Sequence, residues 1–234
     1  MTKIGTGRGA SRRPYTHAPY PFGGTVYGVI LNDRASLTRM GAALTEPPHN
    51  APPQAPVLYI KPRNTVVGDG AVITPPNGET GLEIGGTLAL VMDRAASRLS
   101  LETALDPLAG FTLAADVMAS GGAYYRPAIK EKCFDGSCAL GPELVPVAEM
   151  GDPATLTVRT LVDGALAQER KLSDMVRSVA QLLVDITDFM TLNPGDVLLT
   201  GVPLGAPIAA RGSEVTVEIE GLGKLTTHIA GGRA

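Results

Sequence analysis

The stretch Glu214-Val-Thr-Val-Glu-Ile-Glu-Gly-Leu-Gly-Lys-Leu-Thr-Thr-His-Ile229 alternates apolar and polar side chains on both sides of a glycine-flanked turn. A period of two puts Val215, Val217 and Ile219 on one face of a strand and Thr216 and Glu218 on the other. Gly221 and Gly223 supply the reversal, so the stretch reads as a β-hairpin. Outward from it, 28 glycines and 19 prolines cut the 234 residues into short segments. That density favours strands joined by tight turns over long helices. Further strands are expected at 25–31, 57–60, 71–73, 87–92, 110–118, 156–162 and 196–200. The strand at 196–200 is fed by a turn with Pro194 and Gly195 at its centre.

Three segments carry helical signals. Residues 173–190 place Met175, Val176, Val179, Leu182, Leu183, Ile186 and Phe189 at helical spacing behind Ser173 as N-cap. Residues 99–107 begin with Ser100 as a cap and Glu102 in the first turn, and 37–44 form a short third helix. No internal repeat or compositional break appears. The expected organisation is a mostly-β domain over 25–234, preceded by an arm at 1–24 that carries Arg8, Arg12 and Arg13.

Hydrophobic residues make up 44% of the chain, enough for a sizeable core, against 18% charged residues. The net charge of -3 offers no basic field, so neither nucleic acid nor an anionic membrane is an expected partner. The longest apolar runs, such as 88–92, are too short to span a bilayer. The first residues lack the apolar core of a secretory signal. Cys133 and Cys138 make no disulfide framework, and no second Cys or His cluster completes a zinc set. Reduced thiols in a cytoplasmic protein are the expectation.

Three polar clusters are candidates for chemistry. One is Ile60-Lys-Pro-Arg-Asn-Thr65 at a strand end. Another is Tyr124-Tyr-Arg-Pro-Ala-Ile-Lys-Glu-Lys-Cys-Phe-Asp-Gly136. Lys61, Arg63, Arg126, Lys130 and Lys132 would surround a pocket for a di- or tricarboxylate; as solvated surface charges they would look the same in sequence. The last is Leu192-Asn-Pro-Gly-Asp-Val-Leu-Leu-Thr-Gly-Val-Pro203, where Thr200-Gly201 is either a ligand contact or a structural turn. His17, His49 and His228 have no Cys or Asp at useful spacing and receive no role. Phosphate loops, nucleophile elbows and dinucleotide fingerprints are missing from the sequence.

In their order and spacing, these clusters and the segment Ala109-Gly-Phe-Thr-Leu-Ala-Ala-Asp116 resemble the fumarylacetoacetate hydrolase family, over about residues 24–229. Within it, Tyr-Arg-Pro-Ala-Ile-Lys-x-Lys-Cys-x-Asp-Gly and Ile-Lys-Pro-Arg-Asn-Thr-Val are similar to one branch. That branch is the N-terminal of the two homologous halves of bifunctional isomerase/decarboxylases of 4-hydroxyphenylacetate (homoprotocatechuate) degradation. The resemblance implies a mixed β-roll with few helices, usually dimeric, acting on a small anionic oxo-acid. The reactions it implies are decarboxylation of 5-oxopent-3-ene-1,2,5-tricarboxylate and isomerisation of 2-hydroxyhepta-2,4-diene-1,7-dioate. It also implies Mg2+ or Mn2+, held by two glutamates as E-x-E and an aspartate.

The departures bear on that metal. The E-x-E positions fall on Gly85 and Thr87, and only the aspartate remains, as Asp116. Glu83 shares the strand face of Gly85 and Thr87, and a bulge at Gly85-Gly86 would bring it toward Asp116 as a second ligand. The family's acid–base loop, with its histidine, reads Leu31-Asn-Asp-Arg-Ala-Ser36 here. Lys132 matches the family's active-site lysine, and Thr200-Gly201 its substrate-contacting pair, while the threonine that follows in the family is Val202. Lys132 and Asp116 are thus the implied catalytic residues, and Arg63, Tyr125, Arg126, Thr200 and Gly201 the implied substrate contacts. Three readings stand: a subunit working with a metal-bearing homologue, a silent partner completing the dimer, or an independent acylpyruvate hydrolase or oxo-acid decarboxylase with a rebuilt metal site.

Overall fold

The computed structural model describes residues 23–120 and 128–232, together with a short strand at 13–14. In chain order the strands are β1 (Arg13–Pro14), β2 (Val26–Ile30), β3 (Val57–Lys61), β4 (Val66–Val67), β5 (Ala71–Ile73), β6 (Gly81–Met92) and β7 (Leu108–Met118). They continue with β8 (Cys138–Leu140), β9 (Glu143–Leu144), β10 (Thr157–Val162), β11 (Ala165–Lys171), β12 (Val197–Leu199), β13 (Ile208–Ala210), β14 (Glu214–Ile219) and β15 (Gly223–Ile229). Among the described residues four α-helices interrupt them: α1 (Arg34–Met40), α2 (Ile129–Lys132), α3 (Val147–Met150) and α4 (Val179–Phe189). Apart from β1, the arm expected at 1–24 lies outside the described residues but for its last two, Gly23 and Gly24.

The expected hairpin is β14–β15, with Val217 opposite Leu225 and both buried. It belongs to a five-stranded sheet in the order β11-β10-β14-β15-β5. The larger, eight-stranded sheet runs β3-β2-β12-β6-β7-β8-β4, with β13 added on β6. Its two edge strands are consecutive in the chain, joined only by the turn containing Arg63–Thr65. Six interstrand gaps would separate flat edges by about 29 Å. The five-residue step from Lys61 to Val66 reaches at most about 18 Å. The sheet therefore curls into a roll, and the end of β3 is brought round to β7 and β8.

β6 is the spine of the molecule, buried along nearly all of its 12 residues because it is covered on both faces. Gly85 and Gly86 show what each face meets. A Cβ at Gly86 would lie 2.5 Å from Thr160 Oγ1, on the second sheet. A Cβ at Gly85, on the opposite face, would lie 2.4 Å from Val202 Cγ1. Strand β12 is fixed at its start by Asp196, whose carboxylate accepts from Thr25 N and Asn193 N, both at 2.7 Å. The turn before it has Gly195 at φ 84, as the Pro-Gly pair requires.

Two helix expectations need correction. Residues 175–177 are not helical, because Met175 bridges to Asp33, Val176 N donates to Asn32 O, and Arg177 N donates to Asn32 Oδ1. Helix α4 therefore starts later, capped by Ser178, whose hydroxyl accepts from Gln181 N. Residues 99–107 form successive turns with bonds such as Thr103 N to Ser100 O and Asp106 N to Thr103 O. So short a segment ending in Pro107 gains too little to propagate a helix. A strand was also missed: β11 pairs with β10 through a two-residue Asp163-Gly164 turn, both residues at positive φ. Its largely exposed, polar pattern hid it.

Candidate active site

Asp116 lies on β7 opposite Gly85 of β6 and is 1% exposed. The curl of the roll brings two side chains of β3 to it. Lys61 Nζ stands 2.8 Å from Oδ1, and the Tyr59 hydroxyl donates a short bond to Oδ2. Tyr59 and Lys61 are two residues apart and so share one strand face. The ring of Tyr59 lies over β2 where Gly28 gives it room; a Cβ on Gly28 would meet the ring at 2.1 Å. From the end of α2, Lys132 Nζ reaches Oδ2 at 3.0 Å and sits 4.5 Å over the Tyr59 ring.

The two lysines differ. Lys61 is fully enclosed, and its ammonium also donates to Lys132 O at 2.6 Å, Ser137 O at 2.8 Å and Val117 O at 3.0 Å. Lys132 keeps 11% of its side chain exposed. Burial pushes the Asp116 carboxyl up, but the ammoniums of Lys132 and Lys61 and the bonds from Lys61 and Tyr59 more than reverse this. The group stays ionised, far below the usual carboxylate range. Two cations on one carboxylate leave an excess of one positive charge, with Lys132 as the member nearest solvent.

The remaining candidates fall around this centre in different ways. Glu83 is half-buried, and burial raises its pKa against the opposing pull of the Lys132 ammonium. The β6–β7 pairing runs without a shift from Glu83 to Val91, so Glu83 stands opposite Met118 and no bulge carries it to Asp116. Thr200 and Gly201 are held internally: Thr200 Oγ1 donates to Leu88 O, while Gly201 O accepts from Thr87 Oγ1 at 2.7 Å and Arg170 Nη2 at 2.8 Å. Arg63 is exposed on the turn after β3. Tyr125 and Arg126 lie outside the described residues.

In the loop after β2, Asn32 bonds Thr200 O, Arg177 O and Arg177 N, and Asp33 caps α1 through Ser36 N. This loop ties segments together and brings no acid–base group to Asp116. Tyr59 was not legible as a site residue. The signal for it is a glycine inside a strand, Gly28, which marks close approach of a neighbour.

The residues present do not fit a Mg2+ or Mn2+ ion. Both oxygens of Asp116 face donors, Val202 occupies the space beside Gly85, and Thr87 is bonded to Gly201 O. Among the described residues no group of three or more His, Cys, Asp or Glu could hold a metal. No described helix is long and apolar enough to cross a membrane.

Comparison with known proteins gives these features a context. The family model described as fumarylacetoacetate (FAA) hydrolase C-terminal matches residues 25–230. A 4-hydroxyphenylacetate degradation bifunctional isomerase/decarboxylase of Salmonella dublin is 42% identical over 206 residues, 88% of this chain and 47% of the relative. The chain thus spans about half the length of such curated relatives. The crystal structure of a 2-hydroxyhepta-2,4-diene-1,7-dioate isomerase from Mycobacterium marinum superposes with a TM-score of 0.73 at 30% identity, covering 90% of this chain and 75% of that one. A fumarylpyruvate hydrolase from Pseudomonas aeruginosa, in complex with Mn2+ and pyruvate, shares the fold at 23% identity and a TM-score of 0.75, over 99% of this chain and all of that one.

Proposed function

Because the chain belongs to the fumarylacetoacetate hydrolase family, we propose that it acts as one of the two homologous halves of a 4-hydroxyphenylacetate-degrading isomerase/decarboxylase, paired with a half that bears the metal. The substrate would be 5-oxopent-3-ene-1,2,5-tricarboxylate, followed by the 2-hydroxyhepta-2,4-diene-1,7-dioate it yields. The observation that carries this reading is a centre with surplus positive charge and an incomplete metal set, in a chain matching half of each bifunctional relative.

The centre suits a carboxylate ligand. Lys132 has N–H donors beyond the one committed to Asp116, and its partial exposure lets an anion reach them. In the decarboxylation the C–C bond to the leaving carboxylate breaks, its electron pair passes through the conjugated double bond to the oxo oxygen as a dienolate, CO2 departs, and a proton taken up on that oxygen gives the hydroxydiene. A fixed ammonium beside that oxygen would stabilise the developing charge. Asp116 and Tyr59 hold the Lys132 ammonium in place. Arg63, Tyr125, Arg126, Thr200 and Gly201 remain proposed substrate contacts.

The test is decarboxylation of the tricarboxylate, followed by CO2 release, with the chain alone, a metal-bearing homologue alone, and their mixture. The expected result is no turnover by the chain alone with Mg2+, a complex on size exclusion, and a mixture faster than the homologue. Lys132→Met should abolish that gain. A complex whose rate ignores Lys132→Met would make the chain a silent structural partner. Turnover by the chain alone would make it an independent enzyme of the family.

A further inference from the structure

The loss of metal ligands at this site is accompanied by replacements at each position. Beside Gly85, the space a glutamate would need holds the Val202 methyl group, 2.4 Å from where even a Cβ would stand. At Thr87, the hydroxyl is committed to Gly201 O at 2.7 Å. At Asp116, Oδ1 meets Lys61 Nζ at 2.8 Å, and that same ammonium touches three carbonyl oxygens at 2.6–3.0 Å. A tethered cation therefore sits in a cage of four oxygens contributed by β7, α2 and the residue before β8. The spacings are N–H···O lengths, well beyond the roughly 2.0–2.1 Å that Mg2+ demands. Nothing in the cage is left for a second cation, and two positive charges already lie on one carboxylate.

We propose that in this chain the Lys61 ammonium has taken over the electrostatic place of a divalent cation, so that the centre binds its oxo-acid carboxylate through Lys132 with no metal at all. The proposal rests on the reading of this centre as an anion site and deepens it: the ligand is a free oxo-carboxylate, not a metal chelate. The fixed charge of Lys61 holds Asp116 ionised and turned inward. Lys132 is then anchored on one side and open to the ligand on the other. Covalent attachment makes this cation independent of metal supply and indifferent to chelators.

The experiment uses the full chain stripped with EDTA. Mn2+ is titrated in and followed by the electron paramagnetic resonance signal of the free ion. Oxalate, a planar dicarboxylate resembling the enolate of an oxo-acid, is titrated by calorimetry with EDTA and separately with Mg2+. The expected results are no loss of free Mn2+ signal, the same oxalate affinity in both buffers, and at least about tenfold weaker oxalate binding in Lys132→Met, as loss of one charge-assisted bond implies. One Mn2+ bound per chain, abolished in Asp116→Ala, would overturn the proposal. So would oxalate binding that needs Mg2+, or no oxalate binding in either buffer. A second variant, Lys61→Ala, should have its melting temperature raised by methylammonium and not by tetramethylammonium, which cannot donate. Failure of the mixed-subunit assay with metal-free oxalate binding intact would sink the pathway reading and leave this one standing.

Discussion

Replacing Lys61 by methionine keeps the length of the side chain and removes its charge. The ammonium is fully enclosed and paired with an equally enclosed carboxylate, with three backbone carbonyls completing its shell. Taking one partner from a buried pair leaves the other charge uncompensated and costs about 3–5 kcal/mol. Lys132 and Tyr59 still contact Asp116, which places the expectation inside that range and not above it. For a chain of this size the melting temperature should fall by about 2–4 °C per kcal/mol, or roughly 6–20 °C in all. Urea unfolding followed by circular dichroism measures it, and the midpoint should drop with the slope unchanged. Lys132→Met, which loses one charge-assisted bond at a partly exposed site, should cost about 1–2 kcal/mol. A Lys61→Met variant within about 1 kcal/mol of the parent, or one no worse than Lys132→Met, would refute the enclosed-cation argument.

The folded pKa of Asp116 is depressed below its unfolded value. Its contribution to stability is therefore complete above the unfolded value near 4 and is lost as the pH falls toward the folded one. The stability gap between the parent and Asp116→Asn should accordingly narrow below about pH 4 and stay constant from pH 5 to 7. Gly85→Ala drives a methyl into Val202 and should cost about 1–3 kcal/mol, with only part of it recovered in the double variant with Val202→Ala, because the Cβ of residue 202 at 2.8 Å and Asp116 O at 3.0 Å remain in the way. Asp196→Ala strips two part-buried backbone donors of their carboxylate acceptor and should lower stability by about 1–2 kcal/mol in the same urea assay. Burial pushes the Cys138 thiol to about 12, so a chromogenic disulfide reagent at pH 8 should titrate Cys133 alone, and Cys138 only after denaturation.

Local chemistry alone was enough for much of the architecture. The alternation in 214–229 specifies a hairpin because a period of two cannot bury a helix face, and β14–β15 is that hairpin. Pro194-Gly195 specifies a turn because the two residues have the dihedral preferences it needs. The lysines and arginines near residues 61 and 126–132 were compatible with an anion pocket or with solvated surface charge, and the sequence did not say which. Glu83 was readable as a face-mate of Gly85, but whether a bulge moved it depended on pairing with β7, which sequence does not encode locally.

Tertiary structure decided the rest. The start of α4 at Ser178 follows from residues 175–177 being captured by Asn32 and Asp33, far away in the chain. Lys61 and Asp116 meet only because the eight-stranded sheet must curl to let β3 and β4 be its two edges and still be joined by a short turn. That closure makes an enclosed cation of a lysine that the sequence left open as pocket lining or surface charge, and leaves Lys132, its near neighbour on the carboxylate, at the edge of solvent. Residue types set what chemistry was available; the curl of the sheet determined which of those groups stand within bonding distance, because interactions between charges depend on separation and solvent access and not on position in the chain.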